Sequence, residues 1–182
     1  MYPYDISTIG HSGMVARAAY KIAVKAGLPD PELAYMCGLY HDVGKLYLSR
    51  DKKYRHPLLG HKIMNESGRP AVAKTCLTHP FPCIDEEYIT FYCHGDIVES
   101  NNIRRLLEAQ EFDIYDQLIQ LCDKVSRVDS YVTVEHKFDL YAKKYQVFDA
   151  FIERSHMAFY DIKKMFDSLI GDDVYSFLGV SE

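Results

Sequence analysis

At 182 residues the chain is long enough for one domain with a substantial core. A composition that is 48% hydrophobic and 26% charged excludes disorder, and a formal net charge of -5 disfavours a general nucleic-acid binder such as a DNA-coating protein. A small phosphorylated substrate stays open, since one metal or a few local cations can hold it.

No apolar stretch approaches the roughly 18 residues that span a bilayer, and the first residues, Met1 to Asp5, lack the basic-then-apolar pattern of a signal peptide. A cytoplasmic protein without membrane contact is expected. Five cysteines, an odd number with no Cys-x-x-Cys pair, read as reduced thiols rather than a disulfide framework. Cys37, Cys76 and Cys122 fall on apolar helical faces and are expected to pack as small hydrophobes.

Helical periodicity runs along nearly the whole chain. His11, Val15, Ala18, Ala19, Ile22 and Ala26 recur at spacings of three and four until Gly27, which puts His11 on a buried stripe. Asp30 as N-cap and Pro31 at the first helical position open a second helix. It carries Leu33, Cys37 and Tyr40 inward and ends near Gly44, after delivering His41 and Asp42. Residues 46–55, polar and basic, read as a loop. Pro57 opens a short helix with Leu59 and Ile63 on one side, stopped near Gly68. Arg69 and Pro70 begin another, on which Val72, Cys76 and His79 share a face before Pro80 and Pro82 end it. Residues 84–111 read as two modest helices separated by His94, Gly95 and Asp96. From Asp113 to about Ser130, the positions Ile114, Leu118, Leu121, Val125 and Val128 predict a strong helix. Helices over roughly 136–154 and 156–170 and a short tail complete the chain. Only Tyr131 to Val134 is β-rich, and neither repeat nor linker is evident. The expected fold is all-α, a single-domain helical bundle over residues 1–182.

Within that bundle, His41 and Asp42 offer a neutral nitrogen and an anionic oxygen to one divalent metal. Neighbouring positions on an ideal helix point about 100° apart, so a shared target requires the relaxed last turn before Gly44. His11 and Asp123 stand on other predicted helices and can approach the same point, which ties metal binding to bundle packing. A buried His on an apolar stripe and an Asp inside an apolar helix are costly unless paired or metal-bound.

These residues resemble the HD superfamily of metal-dependent phosphohydrolases, whose pattern is H…HD…D. The matches are His11 in Gly10-His-Ser12, His41-Asp42 in Tyr40-His-Asp-Val-Gly-Lys45, and Asp123 in Leu121-Cys-Asp-Lys124, spanning about residues 8–130. His56-Pro-Leu-Leu-Gly60 further resembles the His-Pro-x-x-Gly segment of HD branches that hold two metals, including the HD-GYP proteins and small dinucleotide-cleaving HD hydrolases. His79, in Leu77-Thr-His-Pro80, falls where those branches supply another ligating histidine. The resemblance implies a second site from His56 and His79 with Asp42 bridging the two. No His-His-Glu and no Gly-Tyr-Pro follows His79, so cyclic-dinucleotide specificity is not implied. The alternative is that His56 caps a helix and His79 hydrogen-bonds near a turn.

Lys45 could bind a phosphate oxygen or the carbonyls at a helix end. Arg127, four residues beyond Asp123 in the same predicted helix, could hold a phosphate, orient Asp123, or form a plain intrahelical ion pair. His61 reads as a surface histidine and His94 as a loop residue or substrate contact. The mixed ligand set suits one or two first-row ions, among Fe, Mn, Co, Ni and Zn, better than Ca or Mg. The expected function is hydrolysis of a nucleotide or other small phosphorylated metabolite by metal-activated water, with Asp42, Lys45 and Arg127 as catalytic groups. A non-catalytic metal-holding regulatory module and a di-iron HD-fold oxygenase are the alternatives. Substrate identity, oligomeric state and the purpose of segment 80–112 are not legible.

Overall fold

The computed structural model describes residues 6–145 and 150–180. The fold is all-α: α1 (Ile6–Lys25), α2 (Pro31–Tyr40), α3 (His56–Glu66), α4 (Pro70–Thr78), α5 (Glu86–Tyr92), α6 (Ile97–Glu108), α7 (Ile114–Val125), α8 (Val134–Tyr145), α9 (Ala150–Ile170) and α10 (Val174–Leu178). Among the described residues there is no strand; the β-rich run contributes one antiparallel bridge, Ser126 to Tyr131. No helix among them is long and apolar enough to cross a membrane.

Local signals set most boundaries. The Asp30 side chain accepts from the Leu33 N–H at 2.8 Å, capping α2, and Pro31 occupies its first turn. Gly27 and Gly68 take the left-handed conformation that ends α1 and α3. Asp113 and Asp116 form a reciprocal capping box at the start of α7.

The main core joins α1, α2, α4, α7, α9 and α10 through residues such as Val15, Ile22, Cys37, Cys76, Leu118, Leu121, Phe159 and Phe166. Each such side chain stabilises the fold by about 1.5–3 kcal/mol through burial. A smaller cluster of Leu77, Phe81, Tyr88, Ile89, Ile103 and Leu107 underlies α5 and α6, so segment 80–112 is a packed helical flap. Cys37, Cys76 and Cys122 are fully buried free thiols.

Close approaches replace large side chains where the metal motif lies. A Cβ on Gly38 would sit 2.7 Å from the Ala16 Cα, so α1 and α2 touch backbone to backbone. A Cβ on Gly44 would sit 2.3 Å from the His56 carbonyl oxygen. Only glycine therefore allows the turn after Asp42 to lie against the start of α3.

Four sequence-based expectations need correction. Residues 46–55 are not an open loop: 3-10 turns cover Val43–Tyr47 and Arg50–Arg55. The helix expected to reach Ser130 stops at Val125, because Ser126 is extended and pairs with Tyr131 while the Arg127 N–H bonds to the Ser130 carbonyl at 2.8 Å. The expected helices 136–154 and 156–170 are divided differently: α8 begins at Val134, α9 begins at Ala150 and runs through the expected break, and residues 146–149 lie outside the described residues. The tail carries α10, capped by Asp173.

Candidate metal centre

Four segments converge on Asp42. α1 supplies His11, whose Nε2 lies 2.9 Å from Oδ1 of Asp123 on α7. His41 caps the end of α2, with Nε2 3.5 Å from Asp42 Oδ2 and 3.7 Å from Asp123 Oδ1. His56, the first residue of α3, places Nε2 3.0 Å from Asp42 Oδ1. His79, just past the end of α4, places Nε2 3.4 Å from the same oxygen. His41 and Asp42 can serve one centre because the helix has ended: Asp42 has left helical geometry, at φ -102° and ψ 9°. His41, Asp42, His56 and His79 are all buried.

The hydrogen bonds fix the imidazole tautomers. His41 Nδ1 donates to the Gly38 carbonyl at 2.7 Å, His56 Nδ1 to Lys53 at 2.6 Å, and His79 Nδ1 to Cys76 at 2.9 Å, in each case three residues back. A carbonyl only accepts, so the proton sits on Nδ1 and each Nε2 turns a bare lone pair inward. These lone pairs meet carboxylate oxygens and, for His56 and His79, each other at 3.1 Å. His41 Nε2 and Asp42 Oδ1 are buried without a hydrogen-bond donor. Acceptors packed on acceptors are unfavourable unless a cation lies among them. Two sets of donor atoms fall within 4.8 Å of one another, His11/His41/Asp42 and Asp42/His56/His79. Asp42 belongs to both, one oxygen towards each.

Charge states suit ligation. Burial alone would raise the Asp42 carboxyl, but Lys45, His41 and His56 outweigh it and hold it well below the usual carboxylate range. Burial acts the same way on Asp123, where Lys124, His11 and His41 prevail. Burial drives His79 down to about 3 and, with Lys45, lowers His56, although Asp42 opposes both. His41 is raised: burial disfavours its charge, and Asp42 and Asp123 overcome it. The ionised carboxylates and the lowered His56 and His79 match the form in which these side chains bind metal, whereas the raised His41 must release a proton when an ion binds. The nitrogen and oxygen mixture fits a divalent transition ion.

Among the cations, Lys45 lies 2.5 Å from Asp42 Oδ2 and keeps about a quarter of its side chain exposed, at 27%. Arg127 does not share a helical face with Asp123: it lies beyond the end of α7 and is exposed. His61 is tied to the Ala73 carbonyl at 3.1 Å, away from the centre. His94 is exposed, has a positive φ of 54°, and stacks on Tyr54 at 5.2 Å.

Sequence reasoning missed three supporting residues. The Tyr92 hydroxyl lies 3.3 Å from the His56 ring. Gln120 donates to the carbonyls of Thr78 and Phe81 at 3.1 and 2.9 Å, clamping the turn that carries His79 onto α7. Lys124 is buried beside Asp123. A lysine inside the apolar run Leu118 to Val125 was a readable signal for the last; the other two contacts cross between helices and leave none.

A family model described as HD domain matches residues 8–128. No curated protein and no solved structure gives a significant match.

Proposed function

The chain belongs to the HD-domain family, and on that premise we propose that it is a metal-dependent phosphohydrolase of a nucleotide or other small phosphorylated metabolite. The observation that carries this reading is Asp42, which turns one carboxylate oxygen to His41 and the other to the Nε2 atoms of His56 and His79. His11, His41, Asp42 and Asp123 would hold one divalent ion; Asp42, His56 and His79 would hold a second. Such ions, when bound, supply an activated water and positive charge for the phosphoryl oxygens.

The chain's own groups do the rest. The three backbone carbonyls that accept from Nδ1 lock His41, His56 and His79 in the ligating tautomer before any ion arrives. Lys45 combines a position on Asp42 with access to solvent, so its ammonium can pass to a phosphoryl oxygen when substrate enters. Arg127, past the helix end, is left out of this assignment. Tyr92 offers a hydroxyl at the His56 side of the centre.

The test is metal analysis of the purified protein, followed by a phosphate-release screen over nucleotides, dinucleoside polyphosphates and sugar phosphates. Stoichiometric metal with turnover on at least one of them is expected. Stoichiometric metal with no turnover on any would turn the assignment to a regulatory module.

A further inference from the structure

Asp123 and Lys124 are adjacent on α7, and both lie in its buried run. Their side chains pair at 2.9 Å, Lys124 Nζ to Asp123 Oδ2. The other carboxylate oxygen, Oδ1, faces His11 and His41. A buried ammonium is costly, and consecutive helical residues do not ordinarily face each other. Lys124 is also held from a second direction: its Nζ stands over the Phe159 ring of α9, 4.7 Å from the centroid. Phe159 is itself fully buried and lies outside the matched family region. A desolvated cation over an aromatic face is drawn to the negative face of the ring, which favours one position of a long, flexible side chain.

Lys45 and Lys124 each pair with a carboxylate of the centre, but differently. Lys45 keeps 27% of its side chain exposed to solvent, and Lys124 only 6%. We propose that Lys124, braced by Phe159, is a positioning residue that occupies Oδ2 of Asp123 so that this carboxylate presents one oxygen, Oδ1, to the metal. The consequence is an unfilled coordination position for water or substrate. It also gives α9 a part in the centre that the H…HD…D pattern does not contain. This rests on the metal reading above.

The experiment loads the full-length protein with Co(II) and records visible absorption and affinity, since added ligand atoms weaken cobalt bands. Parent protein that binds no Co(II) would sink the metal reading itself. With binding established, Lys124→Met frees Oδ2, and its Co(II) bands are expected to weaken, while Lys124→Arg retains the parent spectrum. Phe159→Leu is expected to shift the spectrum in the same direction by less, and Lys124→Met/Phe159→Leu to add nothing beyond Lys124→Met. A Lys124→Met protein that is merely less stable, with parent bands and parent Co(II) affinity, overturns the proposal. Should Lys124→Met fail to fold, an unchanged spectrum in Phe159→Leu overturns it instead.

Discussion

His56 Nε2 faces Asp42 Oδ1 at 3.0 Å while its Nδ1–H donates to the Lys53 carbonyl. Two acceptors are thus held in contact inside the protein, and the same holds for His79. The arrangement is poor as a set of internal hydrogen bonds and good as a set of ligands, and it separates the two readings of His56 and His79 by measurement.

If Asp42 serves both halves, Asp42→Ala should lose all bound transition metal and lower turnover by at least about 100-fold. His79→Ala should lose only the ion on the His56 side. Elemental analysis after exhaustive dialysis, alongside the best substrate from the screen, checks both. An Asp42→Ala protein with parent metal content and parent rate would mean that the centre lies elsewhere.

Lys45 and Arg127 should part company. Lys45→Ala is expected to keep its metal and lose roughly 100-fold in kcat, the scale of one well-placed donor to developing charge. Arg127→Ala, at an exposed position beyond the end of α7, should leave kcat and metal content within twofold, on the scale of about 0.4 kcal/mol. Steady-state kinetics on the two variants decides; equal losses would restore Arg127 to the site.

Gly44→Ala pushes a methyl to 2.3 Å from the His56 carbonyl and 2.9 Å from the Gly60 nitrogen. The turn and α3 must separate, at a cost of about 1–3 kcal/mol. Denaturant unfolding should show that loss together with weaker metal binding, because His56 moves relative to Asp42. An unchanged unfolding midpoint would show that the turn yields freely.

Gln120→Leu removes both bonds to the 78–81 turn; the Thr78 carbonyl keeps the Phe81 N–H at 2.9 Å, while the Phe81 carbonyl loses the amide that answers it. A destabilisation of about 1–3 kcal/mol is expected, with the metal on the His79 side lost first. Equilibrium unfolding and metal titration of the same sample test this. Full occupancy at parent affinity would show that His79 needs no clamp.

The sequence alone specifies the helices and most of their starts, because caps, prolines and stopping glycines act locally: Asp30 with Pro31, and Gly27 and Gly68, each do in the structure what their chemistry dictates. Periodicity fails where a local competitor intervenes, as where the Ser126 to Tyr131 pairing ends α7 early and takes Arg127 off the Asp123 face. The HD family is likewise legible, since its motif is a string of residue types in order. What only the tertiary structure decides is mutual placement. The two directions of the Asp42 carboxylate, the inward turn of three Nε2 atoms, and the Gln120 and Lys124 braces all depend on helices far apart in the chain. No spacing rule encodes such contacts, because they arise from how packed surfaces fit one another rather than from any run of neighbours.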